Sequence, residues 1–314
     1  MAQVSIARLF EDNREKLKLE WVAGRKGGAK ALNSERTKDS SRGLIGHLNF
    51  IHPNLIQVLG ASEVAYLNGL EAAHCRSQLA RTTDQELACF IVAGGDTPPP
   101  ALLEIAEAGA MPLFRSPVAS VELMWMLRPY LARALAESST SHGVFLDVLG
   151  MGVLITGDSG VGKSELGLEL ISRGSGLIAD DVVELYRIGP ETVEGRCPAL
   201  LRDFLEVRGL GVLNIRTIFG EAALRPRKNL KLIVHLEKPA GAEGVPLERL
   251  PLKPGSEPVM GVDIRKVTIP VAAGRNLAVL TEAAVRNTVL QLRGFDSTQE
   301  FVSRQSHQMQ KRDG

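Results

Sequence analysis

With 314 residues, 44% apolar and 23% charged, the chain has the composition of an ordinary globular protein and room for two domains, each with its own core. A formal net charge of +1 excludes the electrostatic footprint of a nucleic-acid binder, and an aromatic content of 4% excludes extended base-stacking platforms. The three cysteines (Cys75, Cys89, Cys197) are widely spaced and form no C-x-x-C pair, so neither a disulfide framework nor a zinc site is expected.

No apolar run reaches membrane-spanning length, and residues 1–6 carry no basic-then-apolar leader, so a cytoplasmic protein without a membrane role is expected. Residues 17–22 alternate as a strand does, and residues 54–59 read as another. Between them, Gly24 to Arg42 is rich in Gly, Lys, Ser and Arg and is expected to be a solvated loop. Ala88-Cys89-Phe90-Ile91-Val92-Ala93 reads as a buried strand, ended by Gly94-Gly95-Asp96 and a proline run. A helix is expected at about 100–108, a short strand near 112–115, and a long helix over about 118–136. These elements alternate without a chemical motif, so residues 1–131 are assigned to a small α/β domain with a regulatory or assembly role. Glu137-Ser138-Ser139-Thr140-Ser141 is polar and expected to be flexible, close to where a second domain over residues 132–314 begins.

That second domain opens with a strand at Gly143-Val144-Phe145-Leu146-Asp147-Val148-Leu149 and a turn at Gly150-Met151-Gly152. A second strand over 152–156 then runs into Gly157-Asp158-Ser159-Gly160-Val161-Gly162-Lys163-Ser164. This is the G-x-x-x-x-G-K-[ST] pattern of a phosphate-binding loop. Its glycines let backbone N–H groups converge on phosphate oxygens, Lys163 adds a point charge, and the Ser164 hydroxyl suits Mg²⁺. Residues 164–173 read as an amphipathic helix stopped by Gly174, which supplies the helix N-terminus such a site needs. Two strands joined by so short a turn must be antiparallel, unlike the parallel crossover that feeds the loop in common P-loop enzymes. The chain therefore points to a less common phosphate-loop class.

Beyond the helix, Leu177-Ile178-Ala179-Asp180-Asp181 reads as a short strand ending in two acids. An acid there can hold Mg²⁺ through water or take a proton from a hydroxyl nucleophile, and mutual repulsion can raise the pKa of one of the pair. His142 precedes the hairpin and is positioned to face phosphates, whereas His47, His52, His74, His235 and His307 are read as structural. Leu205-Glu206-Val207-Arg208-Gly209-Leu210-Gly211-Val212-Leu213-Asn214 places a glutamate, an arginine and two glycines in an apolar run, as a bulge or a close backbone approach to a ligand would. Within it Glu206 is a candidate metal ligand and Arg208 a candidate phosphate clamp. Pro270-Val271-Ala272-Ala273-Gly274-Arg275 is a turn presenting an arginine after a strand at 266–269.

Taken together, His142-Gly143, the 157–164 loop with Glu165, Ala179-Asp180-Asp181, 205–214, and 270–275 followed by Asn276-Leu277-Ala278 resemble the bifunctional HPr kinase/phosphorylase family. The resemblance covers the whole second domain and extends more weakly over the first, through residues 17–24 and 56–70. It implies an α/β fold in which a small N-terminal domain precedes a P-loop kinase domain like that of phosphoenolpyruvate carboxykinase, assembled as a homohexamer. It further implies phosphorylation of a serine on the phosphocarrier protein HPr, with ATP or pyrophosphate as donor and Mg²⁺ as cofactor. The reverse reaction would use inorganic phosphate and yield pyrophosphate, and the pair would regulate carbon metabolism and the sugar phosphotransferase system. By the same resemblance, His142 and Lys163 contact the transferred phosphate, Asp181 exchanges the serine proton, Ser164 and Glu206 hold the metal, and Arg249 is the further active-site arginine. Two rivals remain: a kinase using only ATP or acting on a small molecule, and a nucleotide-sensing switch. A pure sensor would not need Asp181, His142 and the Glu206 segment.

Overall fold

In the computed structural model the chain is described over residues 2–34, 42–83, 86–238, 255–272 and 274–310, the last five by backbone alone. It divides into two compact units, Met1–Glu137 and Ser138–Gly314.

The first unit contains β1 (Gln3–Ser5), α1 (Ile6–Leu17), β2 (Glu20–Ala23), β3 (Ala31–Asn33), β4 (Ile45–His47) and β5 (Ile56–Leu59). These are followed by α2 (Ala61–Gly69), α3 (Ala72–Thr82), β6 (Cys89–Val92), α4 (Pro100–Ala108), β7 (Leu113–Arg115) and α5 (Ser120–Ala134). Its five-stranded sheet has the order β2-β7-β6-β5-β4, parallel except for β2. The central strands β5 and β6 are buried along their whole length, as expected of parallel strands covered on both faces. One face packs Ile56, Val58 and Ile91 against α1 and α5, and the other packs Leu59, Phe90 and Val92 against α2, α3 and α4. The period-2 alternation of a strand thus divides its residues between two helical layers.

Two expectations change here. Leu17 closes α1 instead of opening a strand, because Lys18 takes the left-handed conformation and caps the helix; the strand begins at Glu20. Within 24–42, a 3₁₀ turn (Arg25–Ala29) and β3 replace part of the expected loop, while residues 35–41 lie outside the described residues.

The second unit comprises β8 (Glu137–His142), β9 (Val144–Val148), β10 (Met151–Gly157), α6 (Lys163–Ser172), β11 (Gly176–Ala179), β12 (Val182–Gly189) and β13 (Thr192–Arg196). Then come β14 (Phe204–Val207), β15 (Gly211–Asn214), α7 (Ile215–Phe219), β16 (Arg227–Glu237), β17 (Gly255–Val259), β18 (Val262–Pro270), α8 (Leu277–Leu292) and α9 (Ser297–Gln310). Nine strands form a mixed sheet with the path β11-β9-β10-β16-β13-β12-β8, extended by β18 on β16 and β17 on β18. β14 and β15 form a separate two-stranded hairpin.

The hairpin entry into the 157–164 loop is present: β9 and β10 are antiparallel, with Val148 opposite Met151. The turn itself falls one residue earlier than expected, at Leu149 and Gly150, both at positive φ, so Met151 and Gly152 belong to β10. Glu137–His142 is a strand and not a flexible linker. Its exposed polar residues hide the fact, because an edge strand needs only backbone pairing with β12 and no apolar face. One sheet face packs Val144, Leu146, Val153 and Ile155 against α6 and α8. The other packs Phe145, Leu154 and Ile233 against side chains of β12 and β13.

Gly195 of β13 makes this second layer possible. A Cβ at that position would lie 2.3 Å from Phe145 Cε1 and 2.7 Å from Cδ1, in a ring that is fully buried. Gly195→Ala is therefore expected to cost about 1–3 kcal/mol through overpacking, read as a lower midpoint in urea or heat. An unchanged midpoint would show that the ring can move aside.

The three cysteines are free and buried. Burial, the largest cause, pushes the Cys197 thiol up from 9.0 to about 11. Its folded pKa thus exceeds its unfolded one, so the stability it contributes is complete below pH 9 and is lost as pH rises toward 11. Iodoacetamide at pH 8 should accordingly alkylate Cys197 far more slowly in the native protein than in 6 M guanidinium (on the order of tenfold or more, since the thiolate is the nucleophile). Equal rates would contradict this burial.

Candidate active site

Strand direction gathers the expected site residues. β10 is parallel to β16, and β16 to β18, so their carboxyl ends at Gly157, Glu237 and Pro270 share one edge of the sheet. β9 runs opposite to β10, and β11 opposite to β9, so the start of β9 and the end of β11 lie at that same edge. His142 and Gly143 precede the former, and Asp180 and Asp181 follow the latter. Carboxyl ends of strands in open α/β sheets are where ligand crevices form.

Gly157-Asp158-Ser159-Gly160-Val161-Gly162-Lys163-Ser164 leaves β10 and enters α6. Gly157, Gly160 and Gly162 all have φ between 72° and 140°, and a Cβ on Gly157 would lie 2.4 Å from the Leu236 carbonyl oxygen. Val161 is buried and anchors the loop to the core. Lys163 Nζ donates to the carbonyl oxygens of Gly157 and Asp158, each at 2.9 Å, and so lies back across the loop's first residues.

The two acids after β11 point to different surroundings. Asp180 is buried: its Oδ1 accepts from Ser164 Oγ at 3.2 Å and its Oδ2 from the Glu206 backbone N–H at 2.8 Å. Burial pushes its carboxyl above the ordinary range, opposed by those hydrogen bonds, and the charge of Asp181 contributes least. The expected effect of like-charge repulsion is therefore minor, and burial dominates. Asp181, by contrast, is exposed and sits at φ 63°, with Val182 N–H donating to the Asp180 carbonyl across it at 2.8 Å. This is a γ-turn with positive central φ, a rare and strained shape for a non-glycine residue. Gly143 N–H donates to the Asp181 carbonyl at 3.1 Å, and His142 Nδ1 lies 3.8 Å from Asp181 Oδ1.

Glu206 lies on β14 with its side chain exposed and its backbone held by Asp180. Leu205 and Val207 on either side are buried in the core beside α6, which fixes the hairpin. The glycines of 205–214 thus serve a hairpin, not a bulge: Arg208-Gly209-Leu210 is its turn, closed by Leu210 N–H to the Val207 carbonyl, with Val212, Leu213 and Asn214 on the return strand. Pro270 ends β18, Val271 N–H donates to the Glu237 carbonyl at 2.8 Å, and Arg275 Nη1 donates to the Pro270 carbonyl at 3.3 Å. Ala272 and Gly274 complete this exposed connection into α8, whose N-cap is Asn276. Ala273 and Arg249 lie outside the described residues.

The family model described as HPr Serine kinase C-terminal domain matches residues 133–305, and that described as HPr Serine kinase N terminus matches residues 4–131. The chain belongs to the HPr serine kinase family. Similar proteins named HPr kinase/phosphorylase include one from Nitrosomonas europaea, 59% identical over 98% of this chain and 96% of the relative. Another, from Chromobacterium violaceum, is 54% identical over 98% and 96%. A solved HPr(Ser) kinase/phosphatase from Coxiella burnetii is 38% identical, covering 52% of this chain and 98% of its own, with a TM-score of 0.46. As a member of this kinase/phosphorylase family the chain is an enzyme.

The sequence offers both acids as candidates, and the family resemblance gives the proton role to Asp181 alone. In this HPr-kinase-family chain Asp180 is the residue that joins loop helix, β11 and hairpin. The available signal was adjacency at a strand end, since successive side chains there face opposite ways. Asp180→Ala leaves the Ser164 hydroxyl and the Glu206 N–H without their acceptor, and should cost roughly 2–3 kcal/mol, as hydrogen bonds to charged groups do. Asp180→Asn, which keeps one acceptor oxygen, should lose less. Coincident urea melts of all three proteins would show that this bridge contributes nothing.

Proposed function

We propose that the enzyme phosphorylates a serine of the phosphocarrier protein HPr, using ATP or pyrophosphate, and removes that phosphate by phosphorolysis to yield pyrophosphate. The observation that carries this reading is the meeting, at one sheet edge, of the 157–164 loop, the exposed Asp181–His142 pair and the bridged Ser164–Asp180–Glu206 group. The names of the relatives supply the protein substrate.

Loop N–H groups at the start of α6, with Lys163, bind and orient the phosphates of the donor. In the forward direction the serine Oγ attacks the terminal phosphorus as the bond to the leaving phosphate breaks, and the hydroxyl proton passes to the Asp181 carboxylate. In reverse, an oxygen of inorganic phosphate attacks the phosphoserine phosphorus. The serine–phosphorus bond breaks, Asp181 returns the proton to the serine oxygen, and pyrophosphate leaves. Both directions need only positioned phosphoryl groups and one proton carrier, with no covalent enzyme intermediate. The strained turn at Asp181 holds its carboxylate out toward an incoming protein side chain, and His142 beside it contacts the same phosphoryl group.

The donor set fits Mg²⁺: a hydroxyl and carboxylate oxygens, without a cage of three or more His, Cys, Asp or Glu side chains among the described residues. Mg²⁺ is held by few protein oxygens plus water and substrate phosphate. Ser164 and Glu206 would hold it, with Asp180 adjacent, and when bound it neutralises charge developing on the phosphates. By family resemblance we also assign Arg249 and the 270–275 turn to the site, a carboxykinase-like P-loop fold to residues 132–314, and regulation or assembly of a cytoplasmic homohexamer to residues 1–131. Carbon metabolism and the sugar phosphotransferase system are the processes such an enzyme would control.

Incubation with HPr, Mg²⁺ and γ-labelled ATP should move label onto one HPr serine, and label that stays on the nucleotide overturns the reading. Asp181→Asn keeps a residue that tolerates positive φ, and should lower transfer about 10²–10⁴-fold while nucleotide still binds. Full turnover in that variant would remove Asp181 from proton transfer. Lys163→Ala should weaken nucleotide affinity and turnover together.

A further inference from the structure

The hairpin that carries Glu206 has a second anchor at its open end. Phe204 of β14 faces Asn214 of β15, and one step further out the Ile215 N–H donates to the Asp203 carbonyl at 2.9 Å. Beside that bond Arg216 Nε donates to Asp203 Oδ2 at 2.8 Å, and Arg216 Nη1 donates to Glu221 Oε2. One guanidinium thus joins the residue before β14, the first turn of α7 and the segment that follows α7. Asn214 also caps α7, accepting from the Thr217 N–H at 3.0 Å, so the helix starts at a fixed point on the hairpin.

Asp203 sits at φ 73°, a left-handed conformation that a short polar side chain tolerates but that its surroundings must hold. A cavity of about 260 Å³ opens beside the pair, lined in part by Leu177, Ile178, Cys197, Asp203, Arg216 and Glu221, so close packing on that side does not take the place of the ion pair. Glu206 lies three residues beyond Asp203, and its backbone N–H meets Asp180 Oδ2 at 2.8 Å. A two-stranded hairpin tied at one point can pivot about it, because the apolar contacts of Leu205 and Val207 have no direction. Directional bonds at two points along β14 fix its rotation, and with it the aim of the Glu206 side chain.

We propose that Arg216 is a positioning residue for phosphoryl transfer: by clamping Asp203 and Glu221, it holds the hairpin at the angle from which Glu206 reaches a Mg²⁺ held with Ser164. This rests on the reading of Glu206 as a metal ligand of the site, and Arg216 acts on the metal only through the hairpin.

Two variants of the full-length protein test it. Arg216→Gln removes the charge of the clamp, and Asp203→Gly removes its carboxylate while relieving the left-handed backbone. In metal-free protein, hydrogen–deuterium exchange of the Glu206 amide should quicken on the order of fivefold in both variants, with the β9 amides unchanged. In transfer from ATP to HPr, the half-saturating Mg²⁺ concentration should rise roughly tenfold while the KM for ATP stays within about twofold of the parent. Thermal midpoints should move little, because ion pairs partly open to solvent contribute little to global stability. The double variant should match the single ones, since members of one contact are not additive. A parental rate of Glu206 exchange in both variants overturns the proposal, and so does a parental Mg²⁺ requirement. Exchange needs no turnover, so it decides the matter even if HPr is not the substrate. Glu206→Gln separates the two readings. If it raises the Mg²⁺ requirement and the clamp variants do not, only the role of Arg216 falls; if it leaves the requirement unchanged, Glu206 is not the metal ligand and both fall.

Discussion

The buried carboxylate of Asp180 is the constraint on which this site depends. It accepts from a side-chain hydroxyl at the start of one helix and from a backbone N–H of a separate hairpin. Apolar contacts of Leu205, Val207 and Leu213 also hold the hairpin to the core. A charged acceptor shared by two donors is stronger and more directional than those contacts, so it sets orientation where burial sets only proximity. Burial raises the carboxyl pKa while the two donors favour its charged form, so its environment is a balance and not a simple ion pair.

Its neighbour shows how one chain step separates roles. Asp181 occupies a strained turn that aims it outward, a conformation that surrounding pairing must enforce. The enforcement is visible: Gly143 N–H holds the Asp181 carbonyl, and β11 and β12 pair on either side of the turn with different strands. The buried acid ties three elements together, and the exposed one faces solvent.

The sheet gives these local devices a common location. Antiparallel entry through β9 and β10, combined with parallel pairing of β10, β16 and β18, brings five chain segments to one edge.

Much of this is legible in the sequence. The helix over Pro100–Ala108 was readable because proline opens it and glycine follows it, and the strand–loop–helix of 152–172 because its signals are contiguous. Glu137–His142 escaped because an edge strand is specified by its neighbour's backbone and not by its own side chains. The run around Arg208 reads in the sequence as a bulge or a close backbone approach to a ligand, because only the return of β15 shows that its glycines close a turn. What the sequence determined by itself was the chemistry available: a phosphate-loop pattern, an acid pair, a histidine at 142, a glycine-rich run with Glu206 and Arg208, and one arginine-bearing turn at 270–275, all encoded by residues adjacent in the chain. Tertiary structure alone decided which acid is buried, that the Glu206 segment is a hairpin tied to it, and that the loop, the acid pair and His142 share one edge. Those facts follow from strand direction and long-range hydrogen bonds, which no local pattern of residues can carry.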